Sequence, residues 1–430
     1  MTNSKRKIYV DLAVGLVVVV ILILVKTTLI EDSSYGDWFN AFGYEVLHSF
    51  KPPFNPEKEP SVVVLDISDL KRESDGTTPA KSLREIIEAL VESRVKAIAI
   101  DIDFSPRIDA EEPIKTGARA EDDPEFFSYL HEERKKGIPV FVGAFGFGPE
   151  TKTWLGLEEY KDLAADITIF DEDTTQVPRW LQCPEGEKLN SLSMSMAEAS
   201  GVHPGPRSWL KRFLKDPEAA ESLSEYPMKD KGGRVIPCKR AFTLVNYSKL
   251  ELMQLLIVQP LDRRSVLLAK NAEGNSKFEN KLVIIGNAQR TKASDMFVVI
   301  GRHKPIPGVF LNAAATYTLV DEPIFEFKRS VTITLDLLVG LFVVGGLFAL
   351  RFRHRGDAEY SINLSESVLI FVLILVTVLF GIILVKALDV LWLDFSLVLF
   401  ALLLHSKVQE WVLWVPTRGI SKIKSFFTRS

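Results

Sequence analysis

Four long runs of apolar residues constrain the fold of this chain more than any other feature. They lie at 8–25, 331–350, 368–385 and 390–404, and the charged residues crowd between the first run and the second. The first three runs have 18 to 20 residues, about the number that an α-helix needs to cross a hydrocarbon layer ~30 Å thick. We therefore expect a four-helix transmembrane portion and one large aqueous domain.

The fourth run is the shortest, with 15 residues. Extending it to Lys407 places Trp392 at one end and a lysine at the other, where the two membrane interfaces favour such side chains. A buried core helix is the alternative interpretation of this run. The expected segments are a cytoplasmic N-terminus at 1–7, spans at 8–30, 330–350, 366–387 and 390–406, an aqueous domain at 31–329, a loop at 351–365 and a basic tail at 407–430.

Basic residues beside the runs predict the orientation of the chain. Lys5, Arg6 and Lys7 precede the first run, whereas Glu31 and Asp32 follow it. Because cytoplasmic segments are rich in lysine and arginine, the N-terminus is expected in the cytoplasm. The loop at 351–365 and the tail are basic as well, so both termini are expected there. The chain would then be a multi-pass protein of the inner (cytoplasmic) membrane, with residues 31–329 in the periplasm or outside the cell.

The first run resembles a signal sequence, but it lacks a small-x-small cleavage site, so an uncleaved signal anchor is expected. The exported region contains both cysteines, Cys183 and Cys238, in a compartment where a disulfide could persist. The sequence leaves open whether they pair. A disulfide and two free buried thiols are the alternatives.

The exported region is acidic. Residues 31–329 contain 39 Lys and Arg against 48 Asp and Glu, a net charge of −9, whereas the rest of the chain carries +5. Nucleic acid binding requires a basic surface, so nucleic acid is excluded as a partner. An acidic surface suits small cations or basic ligands.

Buried strands alternate with amphipathic helices in the exported region, which predicts an α/β domain with a mostly parallel sheet. Apolar runs without polar alternation predict strands at 60–66, 95–103, 138–143 and 281–286. Apolar residues at helical spacing predict helices at 79–94, 122–136 and 309–320. Residues 150–278 form an elaborated insertion between these elements, and 248–270 is expected to be one helix within it.

Five aspartates follow the predicted strands at or near their carboxyl ends: Asp66, Asp69, Asp101, Asp103 and Asp295. That edge of an open α/β sheet is where ligands bind. Carboxylates that gather there repel one another, so a cation or an amine ligand would stabilise them, and an all-oxygen shell would suit Mg²⁺ or Ca²⁺. Capping of loops and helix starts is the alternative role for each aspartate. No catalytic residues are predicted, because a zinc-type His pair, a phosphate-binding glycine loop and a nucleophile elbow are all missing from the sequence.

Five short segments follow one another in the exported region: Val62 to Asp66, Ala97 to Ser105, Lys281 to Gly286, Ser294 to Phe297 and Ile306 to Val309. In this order they resemble the CHASE sensory domain of the second type. The resemblance extends over about residues 30–405 and includes the three closing spans. CHASE domains are extracellular sensor modules associated with cyclases and histidine kinases, and the second type is followed by three transmembrane helices and a cytoplasmic enzyme. The resemblance implies a sensing role without naming a ligand.

This sequence departs from that pattern after the last span, where about 25 residues remain and a kinase or cyclase needs a full domain. We therefore expect a non-enzymatic sensor or regulatory subunit that lacks its own output domain and signals through a separate cytoplasmic or membrane partner. An extracytoplasmic metal-dependent hydrolase built on the aspartates is one alternative. A structural membrane assembly subunit is another. The ligand, the output partner and the oligomeric state are left open, a homo-oligomer included.

The C-terminal tail is a candidate docking element. Ile420, Ile423 and Phe427 have helical spacing, and Lys422 and Lys424 lie between them. Such a segment lies on the lipid bilayer or fits the groove of a partner protein. A frayed tail that only satisfies the charge bias of cytoplasmic segments is the alternative.

Overall fold

A computed structural model gives the fold of this chain. It describes residues 13, 16–17, 19–21, 23–24, 44, 59–70, 78–104, 106–107, 115–116, 123–144, 158–167, 176–182, 188–201, 206–216, 221–222, 228–229, 235–236, 239–245, 247, 250–258, 262–270, 274–289, 296–299, 305–353 and 359–392. The chain folds as two compact units. We call Pro52–Pro206 with Asp216–Phe325 the sheet unit, and Met1–Lys51 with Arg207–Lys215 and Glu326–Ser430 the helical unit.

A five-stranded parallel sheet is the centre of the sheet unit. Its strands in chain order are β1 (Val62–Asp66), β2 (Ala97–Asp103), β3 (Val140–Ala144), β4 (Ala164–Asp166) and β5 (Leu282–Gly286). In space the order is β1-β5-β2-β3-β4, and every neighbouring pair is parallel. The predicted α/β class with a mostly parallel sheet is confirmed.

Both faces of this sheet are buried, which explains why its strands are apolar throughout. On one face Leu65, Ile100 and Ile285 pack with the side chains of helices α1 (Ala80–Glu92) and α2 (Asp123–Lys135). Helices α3 (Leu192–Ser200) and α6 (Gly308–Val320) contact the strands from the other face. Each fully buried Leu or Ile contributes about 1.5–3 kcal/mol through the hydrophobic effect.

The predicted helices of the sheet unit form nearly at their predicted bounds. In α1 the buried Leu83, Ile86, Ile87 and Leu90 follow the helical spacing that the sequence shows. The helix ends before Arg94, which has a left-handed backbone with φ 57°. The predictions for α2 and α6 are confirmed within one residue at each end.

The insertion at 150–278 contains a second sheet, which is antiparallel. Its strands are, in spatial order, Leu189–Asn190, Gln176–Gln182, Lys239–Leu244 and Glu221–Ser222. The insertion also supplies β4 and α3 to the main sheet, which the sequence did not predict. At three residues, β4 is too short for its apolar pattern to be recognised.

The single helix expected at 248–270 is wrong. Two short helices form instead, α4 (Leu250–Leu255) and α5 (Arg263–Leu268). Between them Val258 takes up an extended position beside β1, where Asp66 N donates to Val258 O at 2.8 Å. Pro260 lies in the same interval and disfavours a continuous helix.

Short elements complete the sheet unit. They are the strand pairs Pro106–Arg107 with Lys115–Thr116, Met228–Lys229 with Val235–Ile236 and Met296–Phe297 with Ile306–Pro307, and the 3-10 helix Glu158–Leu163.

In the described part of the helical unit there are two long helices, α7 (Arg329–Arg353) and α8 (Glu359–Leu388). The described residues between 13 and 24 are helical as well. Exposed apolar side chains lie on all three helices, among them Val20, Phe342 and Leu379. At Gly340 an added Cβ would lie 2.6 Å from Val19 Cγ1, so the absence of a side chain lets Val19 pack closely on α7.

The described residues contain one helix segment, Arg329–Gly346, that is long and apolar enough to cross a membrane by length and composition. A shorter apolar segment, Leu375–Leu388, lies within α8. The four-helix transmembrane portion is thus not confirmed and stays a prediction. Where the fourth run begins, Val390–Leu391 form a strand that pairs with the strand containing Glu326, and residues 393–430 lie outside the described part.

Candidate ligand site at the carboxyl edge of the sheet

Asp66 and Asp101 lie in one row at the carboxyl edge of the main sheet. In the strand register Asp66 of β1 is opposite Gly286 of β5, and Gly286 is opposite Asp101 of β2. Two strand spacings, about 10 Å in total, separate their backbones. The parallel register therefore brings the two aspartates to one edge although 35 residues of sequence separate them.

Asp66 is buried and serves as a structural acceptor. It is 2% exposed, and its Oδ1 accepts hydrogen bonds from Ser68 N at 3.0 Å and Ala288 N at 2.9 Å. The first bond closes a turn after β1, and the second holds the chain that follows β5. Asp66 thus has the capping role that the sequence left open for each aspartate.

Ser68 and Gln289 extend this link between the two loops. The Ser68 hydroxyl lies within hydrogen-bond distance of both Asp66 Oδ1 and Asn287 Oδ1, and it accepts from Gln289 N at 3.2 Å. Gln289 Nε2 donates to the exposed Asp69 Oδ2 at 3.0 Å. The loops after β1 and β5 therefore form one hydrogen-bonded cluster.

Asp101 is half-buried and faces the start of α6. Asn312 Nδ2 donates to Asp101 Oδ1 at 3.2 Å. The first turn of a helix favours a negative charge, because its N–H groups have no partner within the helix. Gly286 lets this helix approach, since an added Cβ there would lie 2.7 Å from Val309 Cγ2.

Of the two remaining predicted aspartates, Asp103 lies in the described part of the chain and Asp295 does not. The backbone of Asp103 ends β2 at the same edge, opposite Gly143 of β3. Asp295 lies outside the described residues, so its place relative to the edge is not described. The same holds for Cys183, Cys238 and the tail residues Ile420, Lys422, Ile423, Lys424 and Phe427.

The edge combines carboxylates with amide and hydroxyl groups, a set that suits a positively charged ligand. Asp69 is exposed and Asp101 is half-buried. Within the described part of the chain, no group of three or more His, Cys, Asp and Glu side chains could hold a metal ion. The Mg²⁺ or Ca²⁺ site stays a prediction.

Sequence reasoning missed four polar residues of the edge, namely Ser68, Asn287, Gln289 and Asn312. A search for any polar residue directly after a strand would have found Asn287, which follows Gly286. Asn312 could be suspected as the polar residue in the apolar first turns of α6. Its pairing with Asp101 spans 211 residues and depends on the tertiary structure.

The comparisons with known proteins identify the family of this chain. A family model of the CHASE2 domain matches residues 13–347 of the chain. Comparisons with curated proteins and with solved structures find no match. CHASE2 domains are extracellular sensor domains, which is consistent with a sensing role, a domain outside the membrane and the absence of catalysis. The match covers most of the chain, including all of the sheet unit and part of the helical unit, and we conclude that this protein belongs to the CHASE2 domain family.

Proposed function

We propose that this protein is a membrane-bound sensor or regulatory subunit that binds a positively charged ligand outside the membrane. The ligand would bind at the carboxyl edge of the main sheet, near Asp69 and Asp101. The signal would pass through the transmembrane helices to a separate output protein. Family membership supports the sensing role, and the acidic exported region supports a cationic ligand.

The observation that carries this proposal is the contact between Asp101 and helix α6. Asn312, in the first turns of α6, donates to Asp101 Oδ1 at 3.2 Å. A ligand that competes for this carboxylate changes the hydrogen bond that holds the start of α6. The edge and α6 are therefore coupled directly.

Helix α6 is the last helix of the sheet unit, and a short connection, residues 321–328, leads from it to α7. The connection begins at Asp321, whose Oδ2 accepts from Ser61 N at 3.0 Å and from Ser61 Oγ at 2.6 Å. Ser61 immediately precedes β1, so both ends of α6 are tied to the main sheet. A shift of α6 would reach α7 through this connection.

On the cytoplasmic side, the proposed docking element for the output protein is the basic tail with Ile420, Ile423 and Phe427. Removing residues 416–430 is expected to abolish recovery of the partner while leaving the sheet unit folded. If the truncated chain still recovers the partner, the tail is not the contact, and the signal must pass to the partner through the transmembrane helices.

The test uses the full chain in lipid nanodiscs. Thermal unfolding is measured with Mg²⁺, Ca²⁺ or spermidine, and hydrogen exchange is measured in residues 321–328 with the same probes. We expect one probe to raise the unfolding temperature, because a ligand that binds only the folded state stabilises it. The same probe should change exchange in the connection. A rise with the metal ions alone would indicate a metal ion as the ligand, and one with spermidine alone would indicate an amine.

Two matched variants make the test specific. Asp101→Asn removes a charge at the edge and is expected to abolish both responses. Asp262→Asn removes a charge at the start of α5, where the Asp262 side chain accepts from Ser265 N at 2.8 Å and asparagine caps equally well. It should keep both responses. Binding without any change of exchange in residues 321–328 would contradict a sensor that signals through α6.

A further inference from the structure

A segment of nine residues, Arg207–Lys215, belongs to the helical unit although the chain on either side of it belongs to the sheet unit. Backbone hydrogen bonds hold it against the residues that precede α7. Lys215 N donates to Glu326 O at 2.8 Å, and Lys328 N donates to Phe213 O at 2.9 Å. Leu214 and Phe327 form an antiparallel bridge between these bonds. We call Arg207–Lys215 the collar segment.

These contacts fix the level of the collar segment along α7. The last residue that the collar segment binds through its backbone is Lys328, and α7 begins at the next residue, Arg329. The same residue begins the stretch that could cross a membrane, Arg329–Gly346. With a rise of 1.5 Å per residue, Lys328 lies about 5 Å before Val331, where the apolar run starts. Polar headgroups occupy about that depth on each side of the hydrocarbon layer.

The side chains of the collar segment sort into two sets. Leu210 and Leu214 are 2% and 3% exposed, so they pack inward. Trp209 is 53% exposed, and Arg207 and Lys211 are exposed as well. A large indole left in contact with solvent beside cations is unfavourable in water and is typical of a membrane interface, where tryptophan is enriched.

The charge of the collar segment is opposite in sign to the net charge of the exported region that contains it. It contains Arg207, Lys211, Arg212 and Lys215 and no acidic residue, whereas residues 31–329 as a whole carry −9. Arg212 places its guanidinium 4.6 Å from the centre of the Phe213 ring, which supports the side chain without neutralising it. Lys328 and Arg329 add two further exposed cations at the same level.

We infer that the collar segment binds the phospholipid headgroups of the outer leaflet around α7. Trp209 lies at the level where headgroups meet acyl chains, and Arg207, Lys211 and Arg212 contact phosphate oxygens. This inference rests on the membrane placement of α7 in the proposed function. It adds a lipid contact that holds the connection before α7 at the membrane surface.

The test uses the full chain in nanodiscs that contain brominated phosphatidylcholine, because bromine quenches tryptophan fluorescence on contact. The chain has seven tryptophans, so the contribution of Trp209 is taken as the difference between the wild type and Trp209→Phe. We expect this contribution to be quenched, and more strongly by bromines near the headgroup than by bromines near the bilayer centre. Trp180→Phe is the matched control, because Trp180 is buried in the sheet unit and its contribution should not be quenched.

Phe342→Trp separates this inference from the membrane placement of α7. Phe342 is 64% exposed on α7, so a tryptophan there should be quenched by the deeper bromines. Quenching at position 342 without quenching at Trp209 would overturn the lipid contact and leave the transmembrane helix in place. Absence of quenching at both positions would overturn the membrane placement and the inference together.

Phosphatidylglycerol in place of phosphatidylcholine tests the cations. Brominated phosphatidylglycerol is expected to quench Trp209 more strongly than brominated phosphatidylcholine, because the basic side chains attract anionic lipid. This preference should be lost in Lys211→Gln/Arg212→Gln. The control Lys270→Gln/Lys277→Gln, which removes two exposed cations of the sheet unit, should keep it. An unchanged preference in the first variant would overturn the role of Lys211 and Arg212.

Discussion

Asp66 Oδ1 accepts from two backbone N–H groups that belong to loops 220 residues apart, at Ser68 and Ala288. A buried N–H without an acceptor costs about 1–3 kcal/mol. The carboxylate therefore stabilises the edge of the sheet whether or not a ligand binds there. Single substitutions at this edge must therefore distinguish an effect on stability from an effect on ligand binding.

Asp66→Ala is expected to lower the free energy of unfolding by about 3 kcal/mol, because both N–H groups lose their acceptor. Asp66→Asn keeps an oxygen acceptor and should cost about 1 kcal/mol. Pulse proteolysis of the full chain in urea and detergent measures both values. Equal costs for the two variants would contradict the capping role.

Gly286 is the second residue on which the edge depends. Gly286→Ala is expected to cost about 1–3 kcal/mol, because its Cβ would overlap Val309 and force α6 away from the strand. Gly345→Ala is the control, since an added Cβ at Gly345 has no atom within 4 Å. In unfolding measurements, Gly286→Ala combined with Val309→Ala should cost less than the sum of the single variants. Strict additivity would mean that Val309 is not the obstacle.

At the scale of elements, α3 shows how local signals and packing act together. Ser191 caps this helix by accepting from Met194 N at 3.2 Å, and Gly201 ends it with a left-handed backbone. The helix has a weak apolar stripe, yet Leu192 and Met196 are buried. Packing on the sheet therefore supplies most of its stability.

Ser191→Ala is expected to lower the free energy of unfolding by about 1 kcal/mol, the usual cost of losing a serine cap. Ser128→Ala is the matched control, because Ser128 is exposed within α2 and alanine is a good helix former. Its unfolding midpoint should be unchanged or slightly higher in the same urea experiment. A cost for Ser128→Ala as large as that for Ser191→Ala would rule out the cap as the cause.

At the scale of the whole molecule, the charge flanking the apolar runs predicts both termini in the cytoplasm and the sheet unit outside. A reporter that is active only in the cytoplasm is expected to work after Ser430. A reporter that is active only outside should work when inserted near residue 190. Exchanging the two reporters provides the control. An exported reporter that is active after Ser430 would contradict the four-span arrangement.

Local sequence patterns were enough to predict the α/β class, four of the five strands of the main sheet and the helices α1, α2 and α6. Strands buried on both faces need continuous apolar runs, and amphipathic helices need the 3.6-residue period. These elements can therefore be recognised from a short stretch of sequence. The sequence also predicted that Asp66 and Asp103 lie at the carboxyl ends of their strands. The break between α4 and α5 was missed, because the position of Val258 depends on pairing with β1.

The three-dimensional fold was needed to establish the spatial order of the strands, the burial of Asp66 and the contact of Asp101 with Asn312. It alone joined the collar segment to the start of α7. These features rest on contacts between residues that are far apart in sequence, 211 residues for Asp101 and Asn312. Such contacts cannot be predicted from local sequence patterns, because their energy depends on which surfaces the folded chain brings together.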